Sequence, residues 1–318
     1  MRPGQPDDGR VRTAFLGSGS FAVPALRALA ASPVVRIVCV VSAPPRPVGR
    51  GGTWTPTPVE TAARSLGLEP VLTPPRLRHP EAIDAILALR PALAVLADYG
   101  QLVPPALLDL PHGALNLHPS PLPRWRGASP IPATILAGDS TTAVTLMRMD
   151  PGLDTGPLIA QSTLPLGGTE SAPELEARLA ELGATLLVRS LPGWLDGTLP
   201  AIPQASDGIE LTRPLRREDG RLDPSKPAAE LERAVRAYQP WPGTFLELDG
   251  ERIVVNRATV AGPQPGDVQG ALVRAGQAAA LATSDGRLVL ETVTPAGRRP
   301  MAGAAWLRGR RASAEAPS

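Results

Sequence analysis

Blocks of consecutive apolar residues alternate, through the first half of the chain, with amphipathic stretches and glycine-bearing turns. Val11 to Gly17 reads as a strand and Gly17-Ser18-Gly19-Ser20 as a turn, while Phe21, Leu26 and Leu29 mark the apolar face of a helix. A second strand, Val34 to Val41, follows at once. The theme repeats between Val71 and Ala97 and ends in the unbroken apolar run Ala92 to Ala97. Runs of that kind belong to strands covered on both faces, as in a parallel sheet flanked by helices. Ala114 to Leu117 and Ala143 to Leu146 extend the series. The expected class is an open α/β sheet, which places its sites at the carboxyl ends of its strands.

Further on the period changes. Ser171 and Glu174 form a capping box, and Leu175, Leu179, Leu182 and Leu186 make the apolar stripe of a helix expected to stop near Pro192. Leu199 to Thr212 reads as a crossing to a second unit. That unit starts with a short helix carrying Leu231, Val235 and Tyr238, ended by Pro240-Trp241-Pro242. Short alternating segments follow: Thr244 to Leu248, Arg252 to Val260, Gly270 to Val273, Ala278 to Thr283 and Arg287 to Thr292. Turns such as Asp249-Gly250 and Asp285-Gly286 part them, the texture of a small β-barrel. The domains expected are residues 1–206 and 207–318.

The chain's 318 residues suffice for two such cores. No window reaches 18 uninterrupted apolar residues, and Met1 to Arg10 lack the apolar core of a secretory signal, so the expected location is cytoplasmic. Cys39, the only cysteine, lies inside an apolar run and reads as a buried strand residue. With one sulfur and with His79, His112 and His118 at no ligand spacing, no metal is expected. Net charge is only +2, but its placement is uneven. Arg46 and Arg50 stand alone between Arg36 and Glu60, and Arg298, Arg299, Arg308, Arg310 and Arg311 precede any acid before Glu315. Local positive patches of this kind suit a nucleic-acid partner. No strongly apolar surface helix asks for a second copy, so a monomer is expected.

Gly17-x-Gly19-x-x-Ala22 after a first strand invites a dinucleotide reading. The ribose-binding acid that should follow at the end of the second strand is missing, since Ile37 to Val48 holds no carboxylate. Tight-turn packing, or contact with another ligand, is the expectation instead.

The chemistry concentrates in Asn116-Leu117-His118-Pro119-Ser120-Pro121-Leu122-Pro123-Arg124-Trp125-Arg126-Gly127 and, later, Gly152-Leu153-Asp154-Thr155-Gly156. Prolines and glycines fix these loops, and rigid placement is what catalysis requires. In an acyl-type transfer to an amine, Asn116 and His118 are donors for the developing oxyanion. Asp154 orients the imidazole or relays the amine proton. Taken singly, His118 is equally readable as a packed histidine and Asp154 as a turn carboxylate. A serine hydrolase is disfavoured because Ser120, between two prolines, sits on no Gly-x-Ser-x-Gly elbow.

These two motifs resemble the catalytic signature of the folate-dependent formyltransferases, whose Asn, His and Asp trio falls on Asn116, His118 and Asp154. Asp150 is taken as structural. Further motifs are similar to the branch of that family acting on methionyl-tRNA: Phe21-Ala22-Val23-Pro24, Arg46-Pro47-x-Gly49-Arg50-Gly51, Tyr99-Gly100-x-x-x-Pro104, Tyr238-x-Pro240-Trp241-Pro242 and Pro295-Ala296-Gly297-Arg298-Arg299. The resemblance covers nearly the whole chain. It implies a Rossmann-like formyltransferase domain followed by an OB-like barrel. It implies 10-formyltetrahydrofolate as co-substrate, bound near Tyr99, Gly100 and Leu102 and along Ser120, Pro121, Leu122 and Pro123. It implies initiator methionyl-tRNA as acceptor, gripped by Arg46, Arg50, Trp54, Arg298 and Arg299. The loop after Arg50 carries Gly52, Thr53 and Trp54 where other members have lysines. Trp54 there is either a stacking surface or an anchor for a proline-rich loop. The alternative acceptor within the family is a sugar amine; a folate or nucleotide sensor is the alternative of another class, and has no need of the trio.

Overall fold

The computed structural model describes residues 8–48 and 52–314. The chain opens with β1 (Val11–Gly17), α1 (Ala22–Ala30) and β2 (Val35–Val41). A hairpin of β3 (Arg46–Val48) and β4 (Thr53–Thr55) precedes α2 (Pro58–Ser65), β5 (Val71–Leu72), α3 (Pro80–Leu87) and β6 (Leu93–Ala97). Then come α4 (Pro105–Leu108), β7 (Ala114–His118), β8 (Arg126–Gly127), α5 (Pro130–Ala137), β9 (Thr141–Arg148) and β10 (Leu158–Pro165). Helix α6 (Ala172–Leu195) and β11 (Leu211–Thr212) end this stretch. The chain divides into two compact units. The first runs to Pro130 and adds Thr141–Pro165 and Glu176–Thr212; the second takes Ile131–Ser140, Leu166–Leu175 and the chain from Arg213 on.

The first unit holds a seven-stranded sheet in the order β10-β9-β7-β6-β1-β2-β5. Strands β7, β6, β1, β2 and β5 are parallel, while β9 runs against β7 and β10 against β9. Strand β6, Leu93 to Ala97 of the apolar run, is buried at every residue, as a central parallel strand must be. Leu16, Cys39, Val41, Ala94 and Leu96 pack into one core cluster with Leu77 and Ile86. Burial pushes the Cys39 thiol up to about 12, leaving it an inert core residue. Helix α2 begins where sequence rules put it: Thr57 Oγ1 accepts from the amide of Glu60 at 3.0 Å, and Pro58 occupies the first turn.

Two expectations need correction. Helix α6 does not stop near Pro192 but continues to Leu195. Proline removes one helical donor, yet Leu191 is fully buried and the Trp194 indole donates to the His112 carbonyl at 3.0 Å. Those contacts hold the last turn against the loss. Strand β10 was not expected at all. It is an outer strand whose outward residues are polar, so its sequence lacks an apolar run.

The second unit contains α7 (Ala228–Ala237), β12 (Thr244–Leu248), β13 (Glu251–Ala261), β14 (Leu272–Ala275), β15 (Ala278–Ala282), β16 (Arg287–Pro295), β17 (Met301–Ala302) and α8 (Gly303–Ala314). The expected barrel texture is realised as a six-stranded antiparallel sheet, ordered β12-β13-β16-β15-β14 with β17 against β16. The β12–β13 turn is Asp249-Gly250, with φ of 50° and 77°, the double left-handed geometry that a tight hairpin demands. Leu231 and Val235 of α7 and Trp306 and Leu307 of α8 close its core. Arg233 of α7 donates to the Leu136 carbonyl at 2.9 Å, tying α5 into this unit.

Candidate active site

Strand β7 delivers Asn116 and His118 two residues apart, so both side chains leave the same face while Leu117, 2 % exposed, enters the core on the other. Across the sheet, Asn116 pairs with Met147 and His118 with Thr145 of β9. Thr145 is the peg on which the proline-rich loop hangs. Its hydroxyl donates to the Ser120 carbonyl at 2.6 Å and accepts from the Leu122 amide at 3.3 Å and from Gln161 Nε2 at 2.8 Å. The buried Ser120 hydroxyl donates to the Arg124 carbonyl at 2.7 Å, so it is committed to holding the loop.

That loop ends at Trp125, whose φ of 60° turns its carbonyl back toward the strand. His118 Nε2 lies 2.9 Å from this oxygen. A carbonyl can only accept, so Nε2 carries a proton and Nδ1 is the nitrogen left for other work. Nδ1 faces Asp154 Oδ2 at 3.7 Å. The same Oδ2 accepts the amide of Gly127 at 2.8 Å. Asp154 itself has φ of 52°, a left-handed conformation that costs about 1–3 kcal/mol and must be imposed by its surroundings. Asp150 braces the same turn: its Oδ1 accepts from the Gly152 amide at 3.0 Å and from Thr155 Oγ1 at 2.7 Å.

What imposes the Asp154 geometry is a residue that the sequence did not reveal. Gln204 Nε2 donates to the carbonyls of Asp154 and Gly156, both at 2.8 Å. Its Oε1 accepts from Nε and Nη2 of Arg126 at 3.1 and 2.7 Å. Arg126 is 9 % exposed, and this amide is the acceptor for its guanidinium. Strand β11 lies beside β8, with the Thr212 hydroxyl donating to the Arg126 carbonyl at 3.0 Å and accepting from the Ser129 amide at 3.0 Å. Gly127 has φ of 102°, and a Cβ there would collide with the Thr212 carbonyl. Gln204 lies in the stretch read as a connector, fifty positions from Asp154, where no spacing rule reaches.

The Asn116 amide is half-buried and makes no hydrogen bond within the described residues, which leaves its donors free for a substrate oxygen. Asn116, His118 and Asp154 thus meet at one carboxyl edge of the sheet, in the manner of an acyl-transfer site. Next along that edge, at the ends of β6, β1 and β2, opens a cleft of about 990 Å³. Tyr99 and Gly100 line it, with Ser18, Gly19, Arg46 and Asp98. The Tyr99 hydroxyl is buried without a partner, and burial pushes it up to about 12. Asp98 is raised above the usual carboxylate range by desolvation and, secondarily, by Glu176. It keeps an open edge toward the cleft, so water screens part of that shift. The glycine turn packs tightly: the Ser18 amide donates to the Asp98 carbonyl at 3.0 Å, and a side chain on Gly19 would overlap the Asp98 carboxylate. At the end of β2 stands Ser42, not an acid, bonded to Thr57 at 2.6 Å.

The remaining candidates are more dispersed. Leu102 is 83 % exposed and lines a smaller groove beside the cleft, whereas Leu122 is buried in the loop of Pro121 and Pro123. Arg46 and Trp54 share the β3–β4 hairpin, Trp54 being 71 % exposed. Arg298 and Arg299 are exposed in the turn between β16 and β17 of the second unit. Arg50 lies outside the described residues, as do the side chains of Arg310 and Arg311. Among the described residues no group of three metal-ligating side chains is assembled, and no helix is long and apolar enough to cross a membrane.

A mostly parallel α/β sheet with Asn, His and Asp at its carboxyl edge, joined to an antiparallel unit, suits a formyl-transferring class, and the chain belongs to the formyl transferase family. Residues 11–191 match the formyl transferase domain and residues 214–311 the formyl transferase C-terminal domain. The chain is similar to the methionyl-tRNA formyltransferase of Chloroflexus aurantiacus, 43 % identical over 302 residues that cover 94 % of this chain and 97 % of that one. It is similar also to the methionyl-tRNA formyltransferase of Acidiphilium cryptum, 45 % identical over 303 residues, covering 94 % and 97 %. Among solved structures, the N-formyltransferase of Helicobacter canadensis, in complex with folinic acid and dTDP-3-aminofucose, superposes with a TM-score of 0.63. That pair is 15 % identical and covers 88 % of this chain and 98 % of the other, a likeness of fold.

Proposed function

We propose that this chain transfers the formyl group of 10-formyltetrahydrofolate to the α-amino group of methionine esterified to initiator tRNA. The observation that carries the reading is the meeting of Asn116, His118 and Asp154 at one sheet edge, with the Asn116 amide free and the imidazole oriented by the Trp125 carbonyl. The acceptor amine forms a bond to the formyl carbon, the carbon–nitrogen bond to the folate breaks, and the proton lost by the amine passes to that departing folate nitrogen. Asn116 donates to the oxyanion that develops, a contribution of about 3 kcal/mol for such a donor. His118 has Nε2–H on the same side, able to exchange the Trp125 carbonyl for the oxyanion. Asp154, 3.7 Å from Nδ1, stabilises the imidazolium or takes the amine proton through water.

The residues fit a folate co-substrate. Tyr99 and Gly100 line the cleft next to the trio, and the backbone of Ser120 to Pro123 is held in place by Thr145 and by the Ser120 hydroxyl. Tyr99, Gly100, Leu102 and the loop of Ser120, Pro121, Leu122 and Pro123 are therefore proposed as its contacts. Arg46, Arg50, Trp54, Arg298 and Arg299 are proposed as tRNA contacts. Residues 1–206 carry catalysis and folate in this reading, and residues 207–318 carry much of the tRNA grip. The protein acts as a monomer in the cytoplasm. Incubation with 10-formyltetrahydrofolate and charged initiator tRNA should yield N-formylmethionyl-tRNA. No product there, with formylation of a sugar nucleotide amine under the same conditions, would transfer the activity to that other acceptor.

A further inference from the structure

Between His118 and Arg124 every second residue is a proline, and Pro119, Pro121 and Pro123 have no amide to give. The two amides that remain are spent mostly within the loop. Ser120 donates to the His118 carbonyl at 2.9 Å, and Leu122 donates to the Ser120 carbonyl at 3.1 Å. Backbone alone therefore does not tie this loop to the neighbouring strands. Among the described residues, two side chains do so for residues 119–123: Thr145 of β9 and Gln161 of β10. Gln161 is exposed on the outer strand, and its bond to the Leu122 carbonyl is long, at 3.3 Å.

Thr145 is the stronger anchor. It is fully buried inside the otherwise apolar stretch Ala143-Val144-Thr145-Leu146-Met147 and stands directly across the sheet from His118. A buried hydroxyl is costly unless it is paired. This one uses its whole capacity of one donor and two lone pairs. It donates to the Ser120 carbonyl at 2.6 Å and accepts from the Leu122 amide at 3.3 Å and from Gln161 Nε2 at 2.8 Å. The order is then passed along the loop. The Ser120 hydroxyl closes on the Arg124 carbonyl at 2.7 Å, and the next carbonyl, that of Trp125, accepts from His118 Nε2 at 2.9 Å. The path begins on the residue opposite His118 and ends on its imidazole.

We propose that Thr145 is a positioning residue for formyl transfer, whose hydroxyl keeps the proton of the neutral His118 imidazole on Nε2 by fixing the loop that carries the Trp125 carbonyl. This rests on the role given to His118 above. Valine has the shape of threonine without its hydroxyl, so Thr145→Val cuts the path at its start. With the Trp125 carbonyl no longer held, the proton moves to Nδ1, where Asp154 Oδ2 is the acceptor at hand. Nε2 then presents a lone pair, and a lone pair repels the developing oxyanion that an N–H would stabilise. A purely packing role for Thr145 predicts a loss of stability with the imidazole proton unmoved.

The test uses the full chain carrying Thr145→Val, its folding checked by circular dichroism. ¹⁵N spectra of histidine-labelled protein at about pH 9, well above the ordinary imidazole range, separate the two tautomers. The chain has three histidines, and the His118 signal is identified by its absence in His118→Ala. The wild-type proton should sit on Nε2, and in Thr145→Val a large share of it should sit on Nδ1. With 10-formyltetrahydrofolate and charged initiator tRNA, kcat should fall by about 10², the cost of misplacing a catalytic group by about 1 Å, while the KM for tRNA holds. Thr145→Ser, which keeps the hydroxyl, should recover the wild-type tautomer and most of the kcat. Should Thr145→Val not fold, Ser120→Ala, which cuts the same path one step further on, is read in its place. An unmoved His118 tautomer in the folded variant overturns the proposal, whatever the turnover. If the wild-type chain formylates no charged tRNA, the acceptor reading fails while the tautomer series still decides the positioning.

Discussion

Asp154 holds the amide of Gly127 at 2.8 Å on the same carboxylate oxygen that faces His118 at 3.7 Å. One atom therefore fixes the loop and bears on the imidazole. An amide at this position keeps an acceptor for Gly127 but loses the charge. Asp154→Asn should fold with an unchanged circular dichroism spectrum and lose at least about 10² in turnover, the scale of a removed electrostatic partner in the transition state. Turnover near wild type, measured with charged initiator tRNA, would take Asp154 out of the mechanism.

Gln204 should behave as a positioning residue. Replacement by Leu strips Arg126 of the acceptor for Nε and Nη2 and frees the Asp154 and Gly156 carbonyls. A stability loss of about 1–3 kcal/mol is expected, the cost of leaving buried polar groups unpaired. Because Asp154 is displaced and not removed, kcat should fall while folate KM stays near its wild-type value. Gln204→Glu, which still accepts from Arg126 but cannot donate to the two carbonyls, should recover the stability better than the kcat. Equal losses in both variants would refute the division of labour between its two ends.

Gly127→Ala tests the backbone alone. The φ of 102° excludes a side chain, and the new methyl would meet the Thr212 carbonyl. Denaturant unfolding should show a loss of at least about 2 kcal/mol, the order of a strained backbone position plus a clash. A midpoint within error of wild type would mean that β8 and β11 can part without consequence.

The parallel sheet was legible because buried strands write themselves as apolar runs, as the stretches Ala14 to Leu16 of β1, Ile37 to Val41 of β2 and all of β6 do. Asn116, His118 and Asp154 were legible because they fall at strand ends or in glycine- and proline-fixed loops. Gln204 was not. Its importance comes from a contact made across the whole length of α6, and a lone glutamine in a polar connector carries no pattern. The reach of Pro192 was misjudged because proline's local cost is visible in sequence and the anchoring of Trp194 on His112 is not. Helix α6 shows tertiary contacts outweighing a local rule.

A pH dependence follows from Asp98. Its carboxyl is held above the usual range by burial and by Glu176, so the folded state binds its proton more tightly than the unfolded chain does. Stability from this group is present in acid and is lost as pH rises from the ordinary carboxylate value through the raised one. Asp98→Asn removes the ionisation. Its melting temperature should match wild type at about pH 3 and exceed it at about pH 7, with the gap opening between. A gap that is the same at both pH values would assign the effect to packing against Gly19 instead.

The second unit offers the last prediction. Arg298 and Arg299 stand exposed in a turn between β16 and β17 and make no ion pair or side-chain hydrogen bond with another described residue. Such arginines contribute little to folding, so Arg298→Ala with Arg299→Ala should leave the melting temperature within about 1–2 °C of wild type, as surface substitutions do. If they grip duplex phosphates of the acceptor stem, affinity for tRNA should fall and the log–log salt slope should shrink by about 0.9 for each phosphate released. Folate affinity, read separately, should not move, because Tyr99 and the loop of Ser120 to Pro123 lie in the other unit. The effect should be uniform across tRNA sequences, since phosphate contacts carry no base information. A double variant that binds tRNA with unaltered affinity and slope would place the grip elsewhere on the second unit, and one that loses folate as well would show that the two units do not divide the ligands as proposed.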